Sequence, residues 1–310
     1  MEALRELRDL IARQVGSDSI AVPESSLLGL KFTSATRTSG PVHIVYEPCF
    51  ALVVQGKKRI MLGDKLFACG AGQFLIVSVD LPLTIQITAA TRDEPFVALA
   101  VPLKPEKIAT LLLEAAAADR FPAEVVGMGV SDAPREIVEA VTRLARLADH
   151  PRDVPILGPV AEREILWRLL CGEQGHRVRH IGLADSRLSQ IGRAIRWMRD
   201  NYSSPLKMED LARLSAMSVT SFHRHFRAVS LMSPLQYLKQ IRLQEARAQL
   251  LAGADNVATV GHGVGYESAS QFSREYKRAY GAPPTEDARV LRGPNGTPHK
   301  TRRRRGPRRH

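Results

Sequence analysis

Thr220, His223, Arg224 and Arg227 are short polar or cationic residues at helical spacing within SVTSFHRHFRAVSLMSP, residues 218–234. Fifty positions later, SASQFSREYKRAYGAPP repeats the design with Ser270, Ser273, Arg274 and Lys277. Ser218 matches Ser268, Phe222 matches Phe272, Phe226 matches Tyr276, and Pro234 matches Pro284. An arginine presents a planar fork of donors that fits a guanine edge, and Lys or Arg neutralises phosphate. These two faces are suited to recognising a polyanion and carry none of the groupings that make or break covalent bonds.

The elements that hold these faces follow from the same stretches. Phe222 and Phe226 sit four apart, as do Phe272 and Tyr276, so each pair stacks on one helix side and belongs to a core. Ser218 and Ser268 are placed to cap the two helices. A short helical stretch precedes each copy, PLKMEDLARLS and DNVATVGHGVG. Helix, tight turn and capped helix with a cationic face is the helix-turn-helix plan, whose second helix enters the major groove. Between the copies, PLQYLKQIRLQEARAQLLAG is long enough for one continuous helix. Tyr237, Ile241, Ala248 and Leu251 form one apolar row of it, and Leu243, Ala246 and Leu250 another. Two apolar faces imply a helix wedged between two units, which would present both recognition helices to one face of double-stranded DNA about one helical turn apart.

Charge points the same way. The chain has 310 residues and a formal net charge of +12. Residues 300–310 hold seven Lys/Arg and no acid, and residues 190–299 hold fifteen Lys/Arg against nine Asp/Glu, which leaves the first 189 residues near neutral. One basic half suggests that one end meets a polyanion. No apolar run reaches the ~20 residues of a membrane-spanning helix. MEALRELRDLIARQVG reads as an amphipathic helix and not as a secretion signal. Three cysteines, Cys49, Cys69 and Cys171, do not make a disulfide framework in a chain this long, so a reducing cytoplasm is expected, with nucleoid association when bound.

The first half has a different texture. FALVVQ, RIMLG, GQFLIVSV, LTIQIT and FVALAVPL alternate with turn-rich stretches such as GKK, GDK, CGAG and TRDEP, which predicts an antiparallel sandwich or small barrel. From Pro105 the pattern is helical: PEKIATLLLEAAAA, then Ile137, Val141, Leu144 and Leu147 on one stripe, then Val160, Ile165 and Leu169 on another. The expected fold class is α+β, an N-terminal antiparallel β domain with flanking helices followed by an all-α domain of two helix-turn-helix motifs joined by a long helix. The boundaries are 1–172 for the first domain, 173–188 for a linker, 189–292 for the DNA-binding domain and 293–310 for a disordered basic tail. That tail is either a phosphate-binding arm or a solvated run.

The arrangement resembles the DNA-binding domain of the AraC/XylS family of bacterial transcription regulators. The resemblance covers about Ile191 to Arg289 and is most specific in VGYESASQFSREYKRAYGAPP. YEPCFALVVQGKKRIMLGD followed by GQFLIVSVDLP is similar to a cupin-like N-terminal domain found in a branch of that family. The resemblance implies DNA contact by Thr220, His223 and Arg224 in the first motif, and by Ala269, Ser270, Ser273 and Arg274 in the second. It also implies an N-terminal domain that senses a small molecule or forms a homodimer, and RNA polymerase as a partner if the protein is an activator. Two positions depart from the family pattern. Leu231 stands where glycine usually follows the recognition helix, which predicts a turn that is looser or packed differently. Gly261 stands where alanine is usual, with Gly263 nearby, and each glycine inside a helix costs ~1 kcal/mol relative to alanine.

A cupin-like barrel raises the alternative of a metal-dependent enzyme tethered to nucleic acid. Such sites need clustered histidines and a carboxylate, whereas the β region holds His43 alone. His223 and His225 lie two apart on a helix and point about 200° from each other. No metal, cofactor or catalytic residue is therefore assigned, and the expected protein is not an enzyme. A third reading is a constitutive architectural protein without an effector. Cys49, at the start of an apolar strand, and Lys57, read with Lys58 as part of a hairpin turn at a pocket mouth, are the two candidates for contact with an effector.

Overall fold

The computed structural model describes residues 2–15, 29–115, 126–184, 186–254 and 256–292. The basic tail lies outside the described residues. The chain begins with α1 (Glu2–Gln14), whose Leu7, Leu10 and Ile11 are buried. Eight strands follow: β1 (Lys31–Ala35), β2 (Val42–Tyr46), β3 (Cys49–Gln55), β4 (Lys57–Leu62), β5 (Lys65–Gly70), β6 (Gln73–Val77), β7 (Leu81–Ala89) and β8 (Phe96–Pro102). Then come α2 (Pro105–Glu114), β9 (Met128–Asp132), α3 (Arg135–Arg146), α4 (Val154–Cys171) and α5 (Gly175–Gly182). The rest of the described chain is helical: α6 (Arg187–Asp200), α7 (Met208–Leu214), α8 (Val219–Ser230), α9 (Pro234–Leu251), α10 (Val257–Gly263), α11 (Ala269–Tyr280) and α12 (Pro284–Arg292). The class is α+β.

The strands form two antiparallel sheets, ordered β1-β8-β3-β6-β9 and β2-β7-β4-β5. In the first sheet β3 is central, and its CFALVV run is buried without a break, the pattern of a strand covered on both faces. In the second, β4 alternates strictly: Lys57, Arg59 and Met61 are exposed, while Lys58, Ile60 and Leu62 are buried. The register sets Lys58 opposite Cys69 on β5 and opposite Ile87 on β7. Lys57 and Lys58 thus belong to a strand, which corrects the hairpin-turn reading and separates two neighbours by a full side of the sheet.

Helical periodicity after Pro105 hides a strand. Met128–Asp132 leaves the helical region and pairs antiparallel with β6 from Gln73↔Asp132 to Val77↔Met128. Helix α1 packs on α3 and β3, and α3 packs on α4. Ion pairs Arg13–Asp149 (2.9 Å) and Arg146–Glu6 (2.6 Å) stitch α1 to the α3 end. Ile137, Val141, Leu144 and Leu147 are all buried, as their spacing predicts. On α4 the buried side is Ile165, Leu166, Leu169 and Leu170, whereas Val160 faces outward, contrary to its expected place on the inner stripe. The stretch 173–188 carries α5, tied to α2, and is more ordered in form than its weak periodicity suggests.

Contacts group the described residues into two compact units. One comprises those of Met1–Trp197 and Lys207–Pro234, and the other those of Met198–Leu206 and Leu235–His310. The first unit contains both sheets together with α7 and α8. Within it the Gly127 N–H donates to the Val229 carbonyl at 2.8 Å, and the Ser78 N–H donates to the Gly127 carbonyl at 2.8 Å. The second unit has its own apolar core of Leu243, Ala246, Leu250, Val260, Phe272 and Tyr276 among others. On α9 the row Leu243–Ala246–Leu250 is buried, while the other row is buried at Tyr237 and Ile241 but exposed at Ala248.

Candidate nucleic-acid interface

Each repeat forms two helices around a left-handed turn residue. In the first, Ala216 (φ 52°) follows the end of α7, and the Met217 N–H reaches back to the Ala212 carbonyl at 2.9 Å. In the second, Gly265 (φ 93°) follows the end of α10, and the Tyr266 N–H reaches the Gly261 carbonyl at 3.0 Å. These pairs are 49 residues apart, whereas Ser218 and Ser268 are 50 apart, so the second turn is one residue longer. Ala212 is accordingly the structural counterpart of Gly261.

Both serines act as N-caps. The Ser218 Oγ accepts from the Ser221 N–H at 3.3 Å, and the Ser268 Oγ accepts from the Gln271 N–H at 3.4 Å. Phe222 and Phe226 are fully buried with ring centroids 5.4 Å apart, and Phe272 and Tyr276 repeat this at 5.6 Å. Burying these aromatic rows turns the other helix faces outward. Thr220, His223, Arg224 and Arg227 are exposed on α8. Ser270, Arg274 and Lys277 are exposed on α11, with Ala269 and Ser273 half-buried. His225, by contrast, is buried with its Nε2 3.3 Å from the Arg224 guanidinium, so His223 and His225 do lie on different sides.

The departures from the usual pattern have physical answers. Leu231 closes α8 in the left-handed conformation (φ 58°), with its N–H bonded to the Arg227 carbonyl at 2.9 Å. Gly281 closes α11 in the same way (φ 83°), bonded to Lys277 at 2.8 Å. The turn at Leu231 is therefore not looser; leucine accepts a backbone strain that glycine avoids. A Cβ at Gly261 would come within 2.9 Å of the Phe272 ring. That glycine lets α10 approach the recognition helix closely instead of merely weakening its own helix. Gly263 faces open space.

Helix α11 is held by a polar network absent from the sequence reading. Asp287 accepts from the Tyr276 hydroxyl at 2.8 Å and from Arg247 through two bonds at 2.8 and 2.9 Å, while Arg247 stacks 4.4 Å from the Tyr280 ring. Burial and the Asp287 hydrogen bond raise the Tyr276 phenol far above its ordinary range. Glu275 accepts from Lys239 at 2.8 Å and Tyr266 at 2.9 Å. Burial opposes ionisation of Glu275, but bonds from Lys239, Gln271 and Tyr266 outweigh it and hold its carboxyl below the usual range.

In the β domain, burial pushes the Cys49 thiol up to about 12, with the Lys58 charge pulling the other way. Such a thiol is protonated at neutral pH and is a poor nucleophile. Lys57 is exposed, and its neighbour Lys58 is buried. The signal for this was in the sequence, as the alternation of KKRIML puts one lysine on each face. Among the described residues no three His, Cys, Asp or Glu are grouped to hold a metal ion, and no helix is long and apolar enough to cross a membrane. The His43 ring bonds the Thr84 hydroxyl at 2.9 Å.

Comparison with known proteins agrees with this geometry. Residues 26–177 match the model of the AraC-type transcriptional regulator N-terminus, and residues 211–289 match a helix-turn-helix domain. The transcriptional activator RhaS of Pectobacterium carotovorum is 30% identical over 88 residues, 28% of this chain and 32% of that protein. The transcriptional regulator ArgR of Pseudomonas aeruginosa is 27% identical over 153 residues, 48% of this chain and 46% of that protein. The chain thus spans between about a third and a half of the length of these relatives. ToxT from Vibrio cholerae, solved with an unsaturated fatty acid bound, shares the fold with a TM-score of 0.52 at 8% identity, covering 84% of this chain and 94% of that one. A duplicated, serine-capped helix-turn-helix behind an AraC-type N-terminal domain places the chain in the AraC/XylS family of DNA-binding transcription regulators.

Proposed function

We propose that the chain reads a specific double-stranded DNA site through α8 and α11 and acts as a transcriptional activator. Thr220, His223, Arg224 and Arg227 would contact one major-groove segment, and Ala269, Ser270, Ser273, Arg274 and Lys277 another. The observation that carries this reading is that burial of both aromatic pairs leaves two equivalent capped helices with their polar, cationic faces exposed. RhaS is an activator, and activation here would add RNA polymerase as a partner. That the relatives are regulators favours this reading over a tethered cupin-type enzyme. Footprinting of genomic fragments enriched by the full chain tests it: one short protected site is expected, and diffuse protection would point to an architectural protein instead.

The β domain, residues 1–172 with the linker 173–188 behind it, would sense a small molecule or dimerise. Sensing is supported by the hydrogen bond from Gly127 to Val229 at the end of α8, a physical route between the β domain and the first recognition helix. ToxT, which shares the fold, has been solved with a bound fatty acid.

Dimerisation with a second copy is favoured by α4. Its outer face exposes Ile156 (73%), Val160 (63%) and Trp167 (44%), and it ends at the exposed Cys171. A two-fold axis between Arg163 and Glu164 would run the helix antiparallel to its mate. It would set Ile156 against Cys171 and Val160 against Trp167, with Arg163, which pairs with Glu114 of its own chain, beside Glu164, which pairs with Arg143 of its own chain. The test uses Cys171, since Cys49 and Cys69 are buried. Under mild oxidation Ile156→Cys should give a covalent dimer. The native chain should not, because the two Cys171 residues would sit on the order of 22 Å apart along the paired helices. No cross-link in Ile156→Cys would discard this register.

A further inference from the structure

Arg242, on α9, donates from Nε to the Tyr202 carbonyl at 2.7 Å and from Nη2 to the Ser204 carbonyl at 3.1 Å. These oxygens follow the end of α6 at Asp200, where the helix dipole favours a cation. The guanidinium is half-buried, and burial pulls its pKa below the ordinary range. A third element meets it at the same spot. A Cβ on Gly265 would stand 2.6 Å from the Ser203 carbonyl oxygen and 2.7 Å from the Arg242 Nη2, so only glycine fits between them. Its φ of 93° makes the same demand. Arg242, residues 202–204 and Gly265 all belong to the second compact unit. Gly265 is the turn residue of the second motif, three residues before the Ser268 cap of α11. Between them Tyr266 is buried against the Phe272 ring, with centroids 5.3 Å apart, and its hydroxyl donates to Glu275 at 2.9 Å. The first motif carries Ala216 at the matching turn, where a Cβ is accommodated.

We propose that Arg242 is a positioning residue for base recognition by α11, an inference that rests on the reading of DNA through α8 and α11 given above. Arg242 touches no base itself. Its fork holds two carbonyls at once, and the backbone of Gly265 packs against that fork. The turn is thereby fixed at one end. Tyr266 carries the constraint on to the capped start of α11, beyond which Ser270 and Arg274 stand exposed. A hydrogen bond to a base edge weakens steeply once its angle falls below ~120°, so a small tilt of α11 costs discrimination before it costs binding. Phosphate attraction tolerates such a tilt, because it depends on charge and distance more than on direction. Losing the Arg242 fork therefore blunts sequence preference in the α11 half of the site and leaves the α8 half and the salt dependence as they were.

The experiment measures binding of the full chain to single-base mutants of the footprinted site at two salt concentrations. Positions where Ser270→Ala or Arg274→Ala relaxes preference define the α11 half. Arg242→Met keeps the stem and removes the donors. Arg242→Lys keeps the cation at the end of α6 but cannot bond Tyr202 and Ser204 as a fork. Both should lose about fivefold or more of the discrimination in the α11 half, the low end of what one base contact supplies, with the α8 half unchanged within about twofold. The salt slope should stay as in the wild type. Arg242→Lys should also melt close to the wild type, which separates positioning from stability. Where circular dichroism shows Arg242→Met unfolded, Arg242→Lys decides. Full discrimination in either folded variant, or an equal fall in affinity across the whole panel, would overturn the assignment and leave Arg242 a stabilising residue only. Those outcomes leave DNA reading through α11 standing. A panel on which neither Ser270→Ala nor Arg274→Ala relaxes any position would instead remove that reading, and the role of Arg242 with it.

Discussion

Arg224 and Arg274 stand at equivalent, exposed places on two helices, and the support beneath each differs in detail. Gly261 in the scaffold of the second motif suggests from sequence a slack frame, and hence a weaker base contact by Arg274. The Phe272 ring fills the place of the missing Cβ, which removes that reason for ranking the two arginines. Arg224→Ala and Arg274→Ala should each relax base preference within its own half of the site by ~1–3 kcal/mol, as read on a panel of single-base operator mutants at two salt concentrations. A uniform loss across the panel with a shallower salt dependence would identify phosphate contacts instead. The scaffold itself yields a contrast. Gly261→Ala should destabilise, because its Cβ meets the Phe272 ring at 2.9 Å, whereas Gly263→Ala, which meets nothing, should stabilise by up to ~1 kcal/mol in thermal unfolding. Ala216 holds φ 52° without a glycine, so Ala216→Gly should also stabilise, by about 0.5–1 kcal/mol once the added unfolded-state entropy is offset.

Among the elements, α11 depends most on side-chain bonds. Asp287 ties α12 to Tyr276 and Arg247, and both partners in the ion pair are largely buried. Asp287→Ala leaves the Arg247 charge without its carboxylate and should cost about 3 kcal/mol in denaturant unfolding, with a matching loss of DNA affinity as α11 loosens. Glu275 gives a pH signature. Its carboxyl is held below the unfolded value, so its contribution is present above the ordinary carboxylate range and is lost as pH falls through the folded value. Stability measured from pH 7 downward should decline less steeply in Glu275→Gln than in the wild type. An identical decline would mean that the bonds from Lys239 and Tyr266 contribute nothing net.

At the scale of the whole molecule, the positive charge and both helix-turn-helix motifs lie after residue 188. A fragment beginning near Leu188 should therefore bind DNA at physiological salt, and a fragment ending near Gly172 should not. The sheets and α8 nevertheless belong to one compact unit, joined in part by the Gly127–Val229 hydrogen bond. Gly127→Ala places a Cβ 3.0 Å from the Val229 carbonyl, so in the full chain it should change operator affinity, while the isolated 188–310 fragment has no such contact to disturb. Equal operator affinity in Gly127→Ala and wild-type chains would argue that this contact transmits nothing.

What the sequence determined by itself was whatever a short window contains. The duplication, the Ser218 and Ser268 caps, the aromatic pairs four apart and the cationic faces opposite them were all legible, since each is a matter of helical spacing within a dozen residues. The alternation along β4 is equally local, and it turns Lys58 inward and Lys57 outward. The family resemblance carried the joining of a cupin-like domain to that DNA-binding half, beyond what spacing alone supplies. Other features were settled by contacts between distant residues, and no local pattern encodes them. Met128–Asp132 becomes a strand because β6 offers it an edge some fifty residues away in the chain. Val160 turns outward because the next residues of α4 fill the space against α3. Gly261 is explained by a ring eleven positions later, and Lys58 owes its burial to strands on both sides of β4. Local spacing tells which side of an element a residue occupies; only the packed chain decides what lies on that side.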